Sequence, residues 1–455
     1  MADSKLFGTD GIRGVANQFP MTAEIALEVG RATAYLFGKR NKNFSHPTKV
    51  VIGKDTRLSG YMIENALASG FCSMGANVFL VGPMPTPAIS FLTKNMRADI
   101  GVVISASHNS YQYNGIKIFD SKGLKLPDSK EAEIEKLMNS ELLKSIRPTE
   151  DAIGGAKRID DAMGRYIVFI KNTFPQELTL EGLRIVVDCA NGAAYKIAPT
   201  VLSELGAEVF AMNDEPNGKN INEQCGALHP QTLSKSVHEH RAEIGIALDG
   251  DADRAILIDE KGEIIDGDQM MAICALDMIQ SKTLLKNTLV TTPMSNLGLE
   301  IAIKNAGGQI VKTAVGDRYV TETMLKEGFN FGGEQSGHLI FLDHNTTGDG
   351  LIAALKILAI MKKTGKRLSE LKQCMQIYPQ IIENIRVKEK KDFSTFPKIT
   401  EIIHKIQNEL GSKGRVFVRY SGTEPLARVM VEGENIEVIQ EYASDISKAI
   451  RFELS

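Results

Sequence analysis

The sequence predicts an α/β protein: three tandem related α/β domains, each containing a βαβ unit, followed by a smaller C-terminal α+β domain. Three observations carry this expectation. A short apolar strand, an amphipathic helix and a second apolar strand recur three times, more than a hundred residues apart. The order of elements changes after about residue 376, and 455 residues exceed what a single hydrophobic core can fill.

Residues 22–38 have the period of an amphipathic helix: Thr22 is suited to cap it, Ile25, Val29, Ala32 and Leu36 share one stripe, and Gly38 is available to end it. KVVIG at 49–53 reads as a strand, YMIENALASGF at 61–71 as a helix and ANVFLVG at 76–82 as a strand, which makes the first βαβ unit. The pattern returns as LRIVVDC (183–189), a helix from about Ala193 and AEVFAM (207–212). It returns again as TLVTT (288–292), a helix through LGLEIAIKNAG (297–307) and QIVKTAV (309–315). From about Tyr378 the order is strand, helix, two strands and a last helix. The expected domains are therefore 1–160, 161–262, 263–376 and 377–455.

A net charge of -3 gives no global basic footprint, so neither nucleic acid nor an anionic membrane is an expected partner, and an anionic substrate needs local positive charge. Cys72, Cys189, Cys225, Cys274 and Cys374 lie far apart without a CxxC pair, which suggests reduced thiols and not a disulfide or zinc framework. No basic-then-apolar leader and no apolar run of membrane-spanning length is visible, so a cytoplasmic enzyme is expected.

Four loops concentrate chemistry-bearing residues. In DIGVVISASHNSYQYNGIKIF (99–119) an apolar strand feeds a loop carrying Ser105, Ser107, His108 and Asn109, expected at the edge of a parallel sheet, where α/β proteins bind ligands. Ser107 needs a base or a metal to become a nucleophile, and adjacent residues on a loop rarely point together, so no Ser107–His108 pair is expected. In EIGIALDGDADRAILIDEKGEII (243–265) Asp249, Asp251 and Asp253 alternate; in an extended segment their carboxylates face one side and converge on a cation. Oxygen-only ligands indicate Mg²⁺ or Ca²⁺. Asp249, Asp251, Asp253 and Glu260 also match EF-hand ligand spacing, but Arg254 stands where that loop needs glycine, and the flanks read as strands.

NFGGEQSGHLIF (330–341) spaces Glu334, Ser336 and His338 so that alternate side chains line one rim suited to sugar hydroxyls, with His338 able to exchange a proton near neutral pH. VFVRYSGTEPLARVMVEG (416–433) places Arg419, Ser421, Gly422, Thr423 and Arg428 around a turn between two strands, a phosphate clamp of forked donors and backbone amides. FGTDGIRG (7–14) and GKDTR (53–57) add Asp–Arg loops that are not diagnostic alone. Read singly, each segment is also compatible with an ordinary turn.

Together, SASHN with NGIKIF, DGDADR, GGEQSGH and RYSGTEPLARV resemble the four signature loops of the α-D-phosphohexomutases, in order and over essentially the full length. FGTDGIRGVAN, VVDCANGAAY, MSNLGLE and VGDRYV are similar to the phosphoglucosamine-specific branch of that family. The resemblance implies a heart-shaped, four-domain architecture with a central cleft. It implies that Ser107 is phosphorylated in the active enzyme, and that one Mg²⁺ per site is held by Asp249, Asp251, Asp253 and the phosphate on Ser107. Lys117 and His338 become acid/base candidates, with Arg254 near the transferred phosphate. Arg13, His108, Glu334 and Ser336 would contact substrate, while Arg419, Ser421, Gly422, Thr423 and Arg428 would hold the phosphate that is not transferred.

The implied reaction interconverts glucosamine 6-phosphate and glucosamine 1-phosphate through a bisphosphorylated sugar, with a hexose 1,6-bisphosphate as activator, in supply of amino-sugar nucleotides for the cell wall. A glucose or mannose phosphate mutase is the neighbouring reading, a non-catalytic phosphosugar-binding protein the more distant one, and a homodimer is compatible with either. Two positions depart from the family pattern: Ser110 replaces a usual proline, which frees a backbone angle, and Tyr420 stands where this branch commonly has lysine.

Overall fold

The computed structural model describes residues 6–8, 10–40, 47–421 and 425–454. They form four sheets. The first has seven strands in the order Phe7–Gly8, Gly11–Val15, Tyr113–Asp120, Ile100–Ile104, Lys49–Lys54, Asn77–Pro83 and Ala156–Arg158. The second has five, Ile264–Ile265, Ala255–Asp259, Ile244–Leu248, Arg184–Asp188 and Glu208–Met212. The third has four, Gln309–Lys312, Thr288–Thr291, Phe331–Gly333 and Leu339–Phe341. The fourth is a three-stranded antiparallel sheet of Gln380–Arg386, Leu426–Gly433 and Gly414–Tyr420, packed against the helices Pro397–Leu410 and Ile436–Leu454.

The sheets are mixed, not purely parallel. Ile100–Ile104 runs parallel to Lys49–Lys54 but antiparallel to Tyr113–Asp120. Ile244–Leu248 is likewise parallel to Arg184–Asp188 and antiparallel to Ala255–Asp259, and Phe331–Gly333 is parallel to Thr288–Thr291 and antiparallel to Leu339–Phe341. The cause is length: a parallel return needs roughly a dozen or more connecting residues, and each motif loop is shorter than that. Every one of the four motif loops is therefore the tip of a β-hairpin.

The expected helices form with shifted ends. Thr22 accepts a hydrogen bond from Ile25 N at 3.4 Å and heads the helix Ala23–Arg40, but Gly38 lies inside it; one internal glycine costs about 1 kcal/mol and does not stop a helix held by its apolar stripe. The helix expected from Ala193 begins at Ile197, because Ala190 and Asn191 take left-handed φ of 54° and 47° and the chain turns first.

One continuous core joins the first three sheets: Val103 and Phe119, Val187 and Leu248, and Leu289 and Phe331 belong to it, along with helices Thr86–Asn95, Gly267–Gln280 and Gly350–Thr364. The fourth sheet has a separate core of Ile385, Val429, Ile446 and their neighbours. Polar ties attach it. Asn296 caps the helix Leu297–Asn305, donates to Tyr378 O at 2.8 Å and accepts from Tyr378 N at 3.0 Å. Buried Glu432 accepts from Leu297 N at 2.8 Å and Arg415 Nε at 2.6 Å, and Arg415 also reaches Ser295 O. The five cysteines are unpaired, and among the described residues no helix is long and apolar enough to cross a membrane.

Asn296 thus serves a cap and a junction at once. Asn296→Ala is expected to cost about 1–2 kcal/mol. The loss should read as a lower Tm and as faster amide exchange in residues 379–433 than in the first sheet.

Candidate active site

Ser107 sits at the tip of the first hairpin, almost fully buried, with a left-handed φ of 51°. Its amide donates to Ser105 Oγ at 2.9 Å, and its hydroxyl donates to Asp249 Oδ2 at 2.7 Å. His108 Nδ1 is 3.5 Å from the same hydroxyl, too far for a strong bond. Burial, with Arg254 and Arg13 nearby, pushes His108 down to about 4, so it is neutral near pH 7. Arg13, on the adjacent strand, pairs with Asp10 and donates to Asn109 Oδ1 at 3.3 Å.

The second hairpin tip carries Asp249, Asp251 and Asp253, all buried, with one carboxylate oxygen from each within 4.8 Å of the others. They converge by a turn and not by strand alternation: Ala252 N donates to Asp249 O at 3.0 Å and Ala252 takes a φ of 53°. Two such charges repel by about 3–4 kcal/mol at an effective dielectric of about 20. Desolvation and the two neighbouring aspartates raise Asp249 well above the ordinary carboxylate range. Asp253 goes the other way, because Lys117 and His338 outweigh its burial.

Lys117 enters from strand Tyr113–Asp120, buried and within 3.1 Å of Asp251, 3.3 Å of Asp10 and 3.6 Å of Asp253. Burial alone would lower its pKa, but the three carboxylates raise it above that of a free lysine, so it holds its proton. Thr86 heads the helix Thr86–Asn95, donates its hydroxyl to Asp251 Oδ2 at 2.6 Å and its amide to Asp251 O at 2.9 Å. Arg254 N donates to Asp249 Oδ1 at 3.2 Å, and its side chain lies 3.7 Å from Asp253.

Asp251 Oδ1 and Asp253 Oδ1 are buried without a hydrogen-bond partner among the described residues. Hard oxygens left unsatisfied beside a third carboxylate fit a divalent cation such as Mg²⁺. The EF-hand alternative fails on geometry: strands flank the loop, and Glu260 turns away to accept from Ser369 Oγ.

At the third hairpin tip the expected rim divides. Ser336 is exposed, Glu334 is partly buried and accepts from Gly316 N at 3.2 Å, and His338 is buried. Gly337, at a φ of 87°, turns the chain between them, so alternation does not hold. His338 Nδ1 lies 3.6 Å from Asp253, and Nε2 lies 3.3 Å from Asp317 while accepting from Gly348 N at 3.1 Å. That amide bond places the proton of a neutral ring on Nδ1, facing Asp253. The two carboxylates, set against burial, hold the ring above the ordinary imidazole pKa.

On the fourth hairpin Arg419 and Arg428 are direct cross-strand partners, lining a cavity of about 210 Å³ with Met294, Asn384 and Phe417. Burial and Arg428 lower the Arg419 pKa, and like charges directly opposite destabilise a sheet, a cost that a dianion bound there would offset. Ser421 is buried at the strand end; Gly422 and Thr423 lie outside the described residues. Tyr420 takes the other face, stacks on Phe393 at 4.3 Å and donates to Lys391 O at 2.6 Å, so it lies away from the paired arginines.

Hydrogen bonds and ion pairs therefore unite the first three tips. The fourth sheet is tied to the third region by Arg415 on Ser295 O and by Asn296 on Tyr378, and Met294 borders the cavity of the paired arginines. Sequence reasoning did not single out Thr86, Lys125, Asn222 or Asp317. Lys125 bridges Asp10 and Asp317 at 2.6 Å each. Asp317 lies within VGDRYV, matched whole without a residue being assigned, and Asp10 within FGTDGIRG, of which Arg13 alone was given a role.

Comparison with known proteins agrees over the whole length. Models of the phosphoglucomutase/phosphomannomutase alpha/beta/alpha domains I, II and III match residues 4–144, 164–262 and 266–378, and that of the C-terminal domain matches residues 383–449. Phosphoglucosamine mutase from Geobacter metallireducens is 60% identical over 446 residues, 98% of each chain. The one from Syntrophotalea carbinolica is 59% identical over 446 residues, 98% of this chain and 97% of its own. A phosphoglucomutase/phosphomannomutase family protein from Burkholderia thailandensis shares the fold at TM-score 0.81 and 22% identity, covering 99% of this chain and 98% of its own. The Aspergillus fumigatus N-acetylphosphoglucosamine mutase, solved with GlcNAc-6P and magnesium, shares it at TM-score 0.67 and 19% identity, covering 98% of this chain and 95% of its own.

Lys117 contacts three of the clustered carboxylates at once and offsets part of their repulsion. Lys117→Met is expected to destabilise the protein by about 3–5 kcal/mol. Millimolar Mg²⁺ should restore more Tm to the variant than it adds to the wild type, as scanning calorimetry would show.

Proposed function

Because the chain belongs to the phosphoglucomutase/phosphomannomutase family, we propose that it interconverts glucosamine 6-phosphate and glucosamine 1-phosphate, with Ser107 as the phosphoryl carrier. The observation that carries the mechanism is the Ser107 hydroxyl held 2.7 Å from Asp249 inside a buried trio of aspartates. The glucosamine preference rests on the relatives that share about three fifths of the sequence.

A sugar hydroxyl attacks the phosphoryl group on Ser107; its O–P bond forms as the Oγ–P bond breaks, its proton passes to a base and the leaving Oγ takes up a proton. The bisphosphorylated sugar then turns around, and Ser107 Oγ gives its proton to a base and takes the other phosphoryl group while the sugar oxygen leaving phosphorus regains a proton. Lys117, which holds its proton, and His338, whose ring is fixed by Gly348 and two carboxylates, are the acid/base groups of this reading. Asp249, Asp251 and Asp253 would hold magnesium beside the phosphoryl group on Ser107, and the ion would supply charge neutralisation there. Arg254 faces the same group. Glu334 and Ser336 contact sugar hydroxyls, Arg13 and His108 flank the substrate, and Arg419, Ser421, Gly422, Thr423 and Arg428 hold the distal phosphate.

A hexose 1,6-bisphosphate is the expected primer, because only a doubly phosphorylated donor can load the serine and leave a substrate behind. The division 1–160, 161–262, 263–376 and 377–455 gives each domain one motif loop, which the four separate sheets support. A cytoplasmic setting accords with the unpaired cysteines.

The test is a coupled assay for glucosamine 1-phosphate with Mg²⁺ and primer, run beside glucose and mannose phosphates. Glucosamine phosphate is expected to turn over fastest; faster turnover of either other sugar would replace the substrate and keep the mechanism. Ser107→Ala should lose roughly 10⁴-fold or more in kcat. Arg428→Ala should raise KM by about 10–100-fold with a smaller change in kcat, since it removes a charged hydrogen bond to a phosphate that does not react.

A further inference from the structure

We propose that Arg57 and Asn222 are positioning residues that clamp the backbone of the nucleophile loop, setting the direction in which Ser107 presents its hydroxyl and its phosphoryl group. The inference rests on the reading of Ser107 as the phosphoryl carrier. Arg57 belongs to GKDTR, which the reaction above leaves without a task.

Arg57 is fully buried, as is Asp55, with which it pairs. Asp55 also accepts from Arg57 N at 2.9 Å, so the guanidinium is aimed from two points. Its Nη2 donates to the carbonyl of Ser107 at 3.1 Å and also to the carbonyl of Asn109. Asn222 Nδ2, arriving from the second sheet's side, donates to the same two carbonyls at 2.9 Å and 3.0 Å. Each carbonyl thus receives one charged donor and one neutral one.

A buried arginine is costly unless its hydrogen bonds are made, and here it spends them on one turn of backbone. That turn needs holding, because Ser107 takes a left-handed φ of 51°, a conformation that costs a residue with a Cβ roughly 1 kcal/mol or more. With both carbonyls held by the clamp, the Ser107 hydroxyl donates to Asp249 at 2.7 Å.

Neighbouring contacts allow little slack. A Cβ on Gly250 would stand 2.7 Å from Ser107 O, so glycine there lets the metal-loop backbone close on the serine loop. Thr56 Oγ1 donates to Asn191 O, and Leu58 N donates to Gly218 O at 2.9 Å, which fixes the segment bearing Arg57 against the one bearing Asn222. The clamp therefore spans the seam between the first two sheets, and the aim of Ser107 depends on that seam staying shut. Phosphoryl transfer relies on alignment, and a displacement of about 1 Å can cost about 100-fold in rate.

The test compares wild type with Asn222→Asp, which is isosteric but lacks the donor, and Asn222→Gly, which keeps the positive φ of 58° at this position without strain. Arg57→Lys keeps the charge beside Asp55 but loses the fork. The readouts are kcat, KM, Tm, the rate at which Ser107 is phosphorylated by glucose 1,6-bisphosphate, followed by intact mass, and amide exchange of residues 105–110.

Both Asn222 variants are expected to lower kcat and the phosphorylation rate about 10–100-fold, with KM and Tm little changed and exchange at 105–110 accelerated. Arg57→Lys should fall in the same direction. Unchanged kcat in both Asn222 variants, or parallel collapse of kcat, KM and Tm, would overturn the clamp. If the wild type prefers another hexose phosphate, the comparison is run with that sugar. If the wild type shows no turnover, the functional reading fails, and exchange at 105–110 alone decides whether the clamp holds the loop.

Discussion

Five carboxylates crowd the site, and the arrangement of cations around them governs the rest of the molecule. Asp253, Lys117, Asp10, Lys125, Asp317 and His338 form a closed ring in which acid and base alternate, with separations of 2.6–3.6 Å around the circuit. Asp251 joins the ring through Lys117 and accepts from Thr86, while Asp249 beside it accepts from Ser107 and from Arg254 N. At an effective dielectric of about 20, each unbalanced contact of this length is worth several kcal/mol. The ring forms only when elements far apart in sequence meet: Asp10, Lys117 and Lys125 come from the first sheet and its connections, Asp253 from the tip in the second, and Asp317 and His338 from the third region. The charge balance of the site therefore exists only in the assembled fold.

The fold delivers these groups by one repeated device. Three times a strand runs parallel to its neighbour, reaches its C-terminal end and doubles back as a hairpin, leaving the tip beyond the sheet. The fourth tip uses a hairpin alone and rests on a separate core, joined through the polar contacts of Asn296 and Glu432. A shared apolar core fixes the first three tips relative to one another. A smaller, polar joint carries the arginine pair.

Much of this was legible in the sequence. The alternation of apolar strands with amphipathic helices gave the layout, and Ser107, the aspartate trio and His338 lie together as their motifs suggested. What failed to read through was direction. Asp249, Asp251 and Asp253 suggested an extended segment, whereas a left-handed Ala252 brings them together; Glu334, Ser336 and His338 suggested one rim, whereas Gly337 turns His338 inward. Alternation is a property of strands, and short polar runs between strands are turns. The charge ring was illegible for a different reason: Lys125 lies in no motif, the segments holding Asp10 and Asp317 name no partner for them, and only tertiary contact gives the three a role. Tyr420 shows the reverse case, a departure in the sequence whose side chain the strand places on the face away from the arginines.

The central claim is that Ser107 carries the phosphoryl group between sugar positions. The most direct measurement loads the enzyme with radiolabelled phosphoryl from a hexose 1,6-bisphosphate, removes the donor, locates the label by peptide mapping and follows it through one turnover with glucosamine 6-phosphate. The account predicts label on Ser107 alone, passing to the sugar at a rate no slower than kcat. Label on another residue, or turnover that leaves the label on the protein, would contradict it.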